Sequence, residues 1–508
     1  MNLLYPTPLT SETDESFRRD SHAKASLDAL GIGELVSMDS NDLLRLLTSD
    51  PSVIAYRQAE LDDMEKISGL TDVLTKLREY LGTLRELSRK RTALGSSTED
   101  ILYSFGEVST FIEMIDSLCT DIDTLPSPSS DGFAELFGTL RRMASDENFS
   151  LARETVEKME KSIKYARSVT IGVNLNPSFG VYEAGVVSIN SDYYTNSGFF
   201  ATVFGRKPKK DEGDLKVFAP LVSPEASPGF ENAIYNVLNS AVSKSFAKAR
   251  SILLTYIRET VSELYPIYDD LTFLLRTHET VSEMKAKFLK TTLPVIGGTW
   301  KAEKLANPAL LKKMKGFDIT ASDILPHEDV SLRVITGPNA GGKSVFLRAV
   351  GTAVFMTCLG LGVSAESFTM PKITSVFCHF PAKDSLDDSR LVEECKAMRE
   401  IIDELDENSL LLMDETFSGT NSAEGAVIAG EVIGILQEKR SHVFFSTHLH
   451  DISDRIDEFN RNTPKVLPLS AEYADGKRTY RIIEGVSDRS SYALEIARRF
   501  GLESPKHR

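Results

Sequence analysis

The eight residues that decide the fold read Gly337-Pro338-Asn339-Ala340-Gly341-Gly342-Lys343-Ser344. They match the pattern GxxxxGK[ST], whose glycines let backbone N–H groups approach a highly charged anion closely. The positive end of a following helix also favours negative charge at this point. The pattern therefore predicts a loop that binds nucleotide phosphates, with Lys343 reaching the β- and γ-phosphates and the Ser344 hydroxyl holding Mg²⁺.

The residues on either side of this glycine loop (residues 337–344) supply a predicted strand and a predicted helix. Residues 331–336, SLRVIT, are a short β-prone run that leads into the loop, and residues 345–357 are apolar and free of proline. Strand, glycine loop and helix in this order form the context in which the motif binds a nucleotide. The residues predicted to line the nucleotide site are Gly337, Pro338, Asn339, Ala340, Gly341, Gly342, Lys343, Ser344 and Val345.

Two further predicted strands end in residues that suit nucleotide hydrolysis. Residues 410–415, LLLMDE, are typical of a strand buried on both faces, with its acidic pair at the carboxyl edge of a sheet. There Asp414 can hold Mg²⁺, mostly through water, and Glu415 can orient or deprotonate the attacking water. Residues 442–447, HVFFST, predict a third strand that leads into His448, which is placed to contact a γ-phosphate.

Length and composition set limits on the class of protein. A chain of 508 residues is too long for one hydrophobic core, so we expect two or three domains. We expect a cytoplasmic protein with no membrane association, because the sequence has neither a signal peptide pattern nor a long apolar run. The four cysteines lack CxxC spacing and predict core residues. A net charge of −16 argues against a uniformly basic nucleic-acid binder, but a local basic surface stays compatible with it.

The order of the motifs resembles that of the ABC-type ATPases, and their details resemble the MutS family of DNA mismatch-repair proteins. Residues 336–344 match the family's TGPNxxGKS motif, and residues 411–415 resemble the end of its LVLMDE segment. Residues 446–448, Ser-Thr-His, correspond to its A-T-H, and residues 485–502 repeat its closing GV…SY…A…GL pattern. The resemblance is strong over residues 330–503 and weaker upstream.

The resemblance implies the fold class and the domain organisation. We expect an α/β ABC-type P-loop ATPase domain at the C-terminal end, joined to a long, mostly α-helical core or lever domain with a small β-rich insertion. Helical periodicity predicts helices over much of residues 41–166, including one helix over residues 133–166. Residues 169–175 and 185–189 predict the two strands of a hairpin. The expected divisions are a polar segment 1–40, a helical core 41–295 with a reduced clamp-like insertion at about 167–220, and an ATPase domain 296–508.

Several features depart from the family pattern. No part of the sequence corresponds to the N-terminal mismatch-reading domain or the connector domain, so we expect a short form of the family. The glutamine of the family's Q-loop falls on Glu366, and the family's serine signature is shortened to residues 387–389. Phe317 is expected either to stack on the adenine, as an aromatic does in the family, or to be a core residue. The residues implied to contact the nucleotide of a partner subunit are Ser389, Gly419, Thr420 and Asn421.

The resulting functional prediction is an ATPase that requires ATP and Mg²⁺. The resemblance implies a homodimer joined through the ATPase domains, with Lys343, Glu415 and His448 as catalytic residues. Nucleotide state would open and close a helical clamp on DNA or another structured nucleic acid, without a mismatch-reading domain. The alternative is an ATP-driven interaction switch that acts on a protein or a ribonucleoprotein.

Overall fold

The computed structural model describes residues 2–94, 97–165, 168–177, 181–190, 251–287, 289–312, 319–338, 341–380, 389–418, 421–474 and 477–486. Five predicted site residues lie outside the described residues, namely Phe317, Asn339, Ala340, Gly419 and Thr420. Much of the predicted insertion at 167–220 also lies outside them.

The described elements up to Tyr165 are helices, and strands and helices are interspersed from Val295 onward. The helices are α1 (Ser21–Leu30), α2 (Ile32–Val36), α3 (Ser40–Leu46), α4 (Pro51–Lys66), α5 (Leu70–Leu94), α6 (Ser97–Ile122), α7 (Asp131–Ala144), α8 (Glu147–Tyr165), α9 (Ile267–Ala286), α10 (Lys343–Cys358), α11 (Ser389–Glu404), α12 (Ser422–Lys439), α13 (His450–Asp454) and α14 (Ile456–Phe459). Residues 251–259 are also helical. The strands are β1 (Ser168–Leu175), β2 (Val181–Asn190), β3 (Val295–Ile296), β4 (Lys301–Leu305), β5 (Ser322–Ile324), β6 (Val330–Thr336), β7 (Ser367–Met370), β8 (Ser375–His379), β9 (Ser409–Asp414), β10 (His442–Ser446), β11 (Lys465–Ala474) and β12 (Lys477–Glu484).

The chain divides into two compact units. The helical unit comprises Gly69–Ser127 and Ala134–Asp269, and the α/β unit comprises Asn2–Ser68, Pro128–Phe133 and Asp270–Arg508. This division differs from the predicted boundaries near residues 41 and 296, since residues 2–68 and residues 270–295 belong to the α/β unit.

The helical unit is built around α5 and α6, which pack against each other. Their apolar residues recur at helical spacing and are fully buried, for example Leu77 and Leu84 on α5 and Phe111 on α6. The predicted hairpin of residues 169–175 and 185–189 is present as the antiparallel pair β1 and β2.

The segment 133–166, predicted as one helix, forms two. Helix α7 ends at Ala144 and α8 begins at Glu147. The carboxylate of Asp146 accepts a hydrogen bond of 3.1 Å from the Asn148 N–H, as a residue that caps a new helix does. Apolar periodicity continues through such a break, which is why the periodicity alone did not reveal it.

A six-stranded sheet in the order β12-β11-β6-β10-β9-β8 forms the centre of the α/β unit. Strands β8, β9, β10, β6 and β11 are parallel to their neighbours, and β12 is antiparallel to β11. Helices α11 and α12 pack on one face of this sheet, against residues such as Val334, Met413 and Phe445. Because the carboxyl ends of β6, β9 and β10 lie at one edge, the residues that follow these strands meet there.

A second sheet in the α/β unit has the order β3-β7-β4-β5. Trp300, which is 1% exposed, packs edge-on against Phe368 of this sheet and Phe444 of the six-stranded sheet, with ring centroids 6.5 Å and 5.3 Å apart. This aromatic contact joins the two sheets.

The N-terminal segment, predicted to be polar, contains helices, and α1 packs on strand β8 of the six-stranded sheet. Leu27 and Leu30 of α1 are buried, and the Ser26 hydroxyl donates a hydrogen bond of 3.0 Å to the backbone oxygen of Val376 in β8. Arg57 of α4 is fully buried and donates to the backbone oxygens of Leu4, at 3.0 Å, and Leu46, at 2.7 Å. These contacts make residues 2–68 part of the α/β unit.

Among the described residues, no helix combines the length and the apolar character that crossing a bilayer requires.

Candidate nucleotide-binding and active site

The glycine loop begins where β6 ends, and its backbone conformation requires glycine. Gly337 and Gly342 have φ angles of 126° and 98°, in the left-handed region that side chains disfavour. A Cβ atom on Gly342 would lie 2.7 Å from the backbone oxygen of Tyr480, and one on Gly341 would lie 2.9 Å from that of Pro338. The glycines therefore allow a tight turn that leads directly into α10.

Lys343, the first residue of α10, turns its side chain back into the loop. Its Nζ donates hydrogen bonds to the backbone oxygens of Gly337, at 2.8 Å, and Pro338, at 3.2 Å. Burial lowers the pKa of this ammonium group, and the nearby carboxylates of Glu415 and Asp414 oppose that shift. The amino group thus lies where the phosphates of a nucleotide would need a positive charge.

Ser344 and Asp414 meet across the carboxyl edge of the sheet. The Ser344 hydroxyl donates a hydrogen bond of 2.9 Å to Oδ1 of Asp414, at the end of β9. Hydroxyl and carboxylate oxygens are the ligand types that Mg²⁺ prefers. The two predicted metal ligands are therefore close enough to share one small cation.

Glu415 lies in a constrained turn directly after β9. Its N–H donates a hydrogen bond of 2.8 Å to the backbone oxygen of Ser446 in β10. Its φ angle is 55° and that of Phe417 is 62°, both in the left-handed region that residues other than glycine rarely adopt. Such backbone conformations persist only where surrounding contacts hold them, and they concentrate at active sites.

His448 follows β10 at the same edge of the sheet. Its Nδ1 is buried and has no hydrogen-bond partner in the described part of the protein. A buried polar atom without a partner is costly, so a ligand that bonded it would be favoured. The backbone before it is fixed, because the Thr447 N–H donates to the Ile335 oxygen at 3.0 Å.

The remaining predicted site residues that the structure describes lie in three helices or beside them. Pro338 is half-buried and Val345 is 36% exposed on the first turn of α10. Ser389 is the first residue of α11. Asn421 caps α12, because its side-chain oxygen accepts a hydrogen bond of 3.0 Å from the Ala423 N–H.

A buried polar network in the turn after β9, beside Glu415, was not predicted from the sequence. The Phe417 N–H donates a hydrogen bond of 2.8 Å to Oε2 of Glu394, and the Thr416 hydroxyl lies 2.9 Å from Nδ1 of His379. One signal could have identified Glu394. It stands three residues after Leu391 and four before Met398, so it is a charge on the apolar face of α11.

The chain is similar in sequence to several known proteins. Residues 333–506 match the family model described as MutS domain V. The chain is 25% identical to the DNA mismatch repair protein MutS of Thermotoga petrophila, over 97% of this chain and 58% of that protein. It is 24% identical to Endonuclease MutS2 of Bacillus velezensis, over 89% of this chain and 55% of that protein.

A shorter segment is more similar to a plant relative. Over 37% of this chain and 17% of that protein, the chain is 36% identical to DNA mismatch repair protein MSH1, mitochondrial, of Arabidopsis thaliana. The chain spans about half the length of the first MutS proteins that it matches, between 52% and 58%.

Proposed function

The chain belongs to the MutS family, and on this premise we propose that it is an ATPase that uses Mg²⁺ and acts on DNA or another structured nucleic acid. The contact of 2.9 Å between the Ser344 hydroxyl and the Asp414 carboxylate is the main support for the proposal. It joins the helix that follows the glycine loop to the strand that carries the acidic pair. The Asp414 and Glu415 carboxylates lie near enough to the Lys343 ammonium group to oppose the lowering of its pKa by burial, which supports one shared site for the three charges.

In the proposed reaction, the backbone N–H groups of the glycine loop bind the phosphates of ATP. Lys343 exchanges the loop carbonyls for phosphate oxygens, and Ser344 and Asp414 hold the metal ion. Mg²⁺, when bound, neutralises charge on the β- and γ-phosphates. Glu415 aligns the attacking water for in-line displacement, and the ring of His448 contacts the γ-phosphate.

We also propose that two ATPase domains face each other. The resemblance to ABC-type ATPases implies that Ser389 and the turn at residues 419–421 meet the nucleotide of a partner subunit. Two exposed apolar residues on α11 and α12 support a subunit interface at these helices. Val392 on α11 is 53% exposed, and Val427 on α12 is 60% exposed. Burying them against a second copy would favour association. Nucleotide state would then shift the helices that open and close a clamp.

DNA is the partner we favour, because relatives that match most of the chain, such as the MutS of Thermotoga petrophila, carry names that refer to DNA mismatch repair. The second candidate is a switch that acts on a protein or a ribonucleoprotein. The net charge of −16 favours this second candidate, since phosphate contacts require local positive charge.

One experiment separates the two candidates. Phosphate release by the full chain is measured with duplex, branched or mismatched DNA and with RNA, over a series of salt concentrations. If DNA is the partner, it changes the rate of phosphate release, and the apparent affinity falls steeply with salt as counterions are released. An ATPase that responds to no nucleic acid would contradict this assignment and support the protein partner.

A further inference from the structure

The turn that carries Glu415 needs external contacts to keep its shape. Glu415 and Phe417 both have φ angles in the left-handed region, 55° and 62°, although neither residue is glycine. Within the turn, the Ser418 N–H donates to the Glu415 oxygen at 3.3 Å, which is a long hydrogen bond. The conformation must therefore be stabilised from outside the turn.

Two side chains from neighbouring elements supply that stabilisation. Oε2 of Glu394 accepts the Phe417 N–H at 2.8 Å, and Nδ1 of His379 lies 2.9 Å from the Thr416 hydroxyl. Glu394 is only 6% exposed and Phe417 only 1%. A hydrogen bond from a buried amide to a carboxylate is stronger than one between neutral groups, and its loss leaves a buried polar group without a partner.

The position of Glu394 connects this turn to another part of the site. Glu394 lies on the second turn of α11, and α11 begins at Ser389. Its neighbours on the same face of α11, including Met398 and Ile401, are buried in the apolar core. A polar group on such a face costs free energy unless it is hydrogen-bonded, and the Phe417 N–H supplies one such bond to Glu394.

We infer that Glu394 is a positioning residue that holds the Glu415–Phe417 turn in the conformation needed for hydrolysis. The inference rests on the ATPase function proposed above. Because Glu394 belongs to α11, a shift of α11 displaces the Phe417 amide and, with it, the carboxylate of Glu415. Contact between Ser389 and a second subunit's nucleotide would in this way control the alignment of Glu415.

The test compares ATP turnover and nucleotide affinity in full-length variants. Glu394→Ala removes the acceptor, so we expect kcat to fall about 10- to 100-fold, the loss that a small misplacement of a catalytic group produces. The affinity for a non-hydrolysable ATP analogue should stay within about twofold, because this variant leaves the glycine loop intact. Glu394→Gln keeps an acceptor oxygen and should restore most of kcat. The matched control is Glu393→Ala, which removes an exposed charge from the same helix.

Three results would overturn the inference. They are an unchanged kcat in Glu394→Ala, a parallel loss of kcat and nucleotide affinity, and a Gln variant as slow as the Ala variant. If Glu394→Ala does not fold, Glu394→Asp replaces it, since the side chain is one methylene shorter and its carboxylate is drawn back from the Phe417 N–H, and an unchanged kcat would again contradict us. A wild-type protein that binds but does not hydrolyse ATP would refute the proposed function itself.

Discussion

The hydroxyl of Ser344 lies 2.9 Å from a carboxylate oxygen of Asp414, which is 70 residues further along the chain. Ser344 is in the first turn of α10, and Asp414 ends β9, which is separated from β6 by β10. The parallel sheet brings both oxygens to one edge. Under the proposed function, in which Ser344 and Asp414 hold Mg²⁺, this arrangement lowers the ordering cost of binding the metal ion.

Asp414→Asn should weaken the binding of Mg²⁺ at this edge of the sheet. The amide keeps the shape of the side chain but removes its charge, so we expect the Mg²⁺ concentration for half-maximal ATP turnover to rise about tenfold or more. The measurement is phosphate release in a Mg²⁺ titration. Asp451→Asn, which neutralises an exposed carboxylate on α13, is the control, and an equal shift in both variants would contradict the role of Asp414.

Lys343→Ala should abolish nucleotide binding. Its ammonium group lies inside the glycine loop, within 2.8 Å of the Gly337 oxygen, so the loop would lose its positive charge. Binding is measured by fluorescence with a labelled ATP analogue. Lys396→Ala removes an exposed charge from α11 and should bind normally. Wild-type affinity in Lys343→Ala would show that nucleotide binds elsewhere.

Arg57→Met should destabilise the α/β unit by about 2–4 kcal/mol, because it leaves buried carbonyl groups without partners. Arg57 bonds Leu4 and Leu46 and lies near the Leu359 oxygen, at 3.4 Å, just beyond the C-terminal end of α10. Thermal and urea unfolding measure the loss. Arg45→Met, at an exposed position of α3, should change stability little. Equal losses of stability in the two variants would contradict the stabilising role of the hydrogen bonds from Arg57.

Glu60→Gln should remove a pH dependence of stability. Burial raises the pKa of Glu60 to about 8 from its usual 4.5, against hydrogen bonds from Ser130 and nearby backbone amides. The folded state therefore holds a proton that the unfolded state loses, and this contribution is complete below pH 4.5 and is lost as the pH rises through about 8.

The Gln side chain does not titrate, so its contribution to the free energy of unfolding stays constant over this pH range. The variant should match the wild type near pH 5 and exceed it on the order of 1 kcal/mol or more near pH 8. Urea unfolding at both pH values measures the difference. Glu12→Gln, at an exposed position, should follow the wild type, and a Glu60 variant that also follows it would contradict the raised pKa.

The sequence predicted the structure best where one chemical requirement determines the identity of several neighbouring residues. The glycine loop requires glycine by its φ angles, and a buried parallel strand requires a continuous apolar run, so β6, β9 and β10 were predictable. The acidic pair after β9 followed from the same reasoning, since charged groups can emerge only at the edge of the sheet.

Tertiary contacts decided what the sequence did not reveal. The break between α7 and α8 depends on one capping carboxylate, that of Asp146. The N-terminal segment is polar in composition, yet Leu27 and Leu30 of α1 are buried, and α1 packs on the sheet. Local composition does not indicate this packing. The bond between Glu394 and Phe417 joins residues 23 positions apart, and no local pattern encodes it.

The most direct test of the proposed ATPase measures phosphate release from MgATP by wild-type protein and by Glu415→Gln, together with ATP binding by both. We predict that the variant binds ATP like the wild type but releases phosphate at least about 100-fold more slowly, because Gln cannot accept a proton from the attacking water. Release at the wild-type rate by Glu415→Gln would contradict the central claim that hydrolysis takes place at this edge of the sheet.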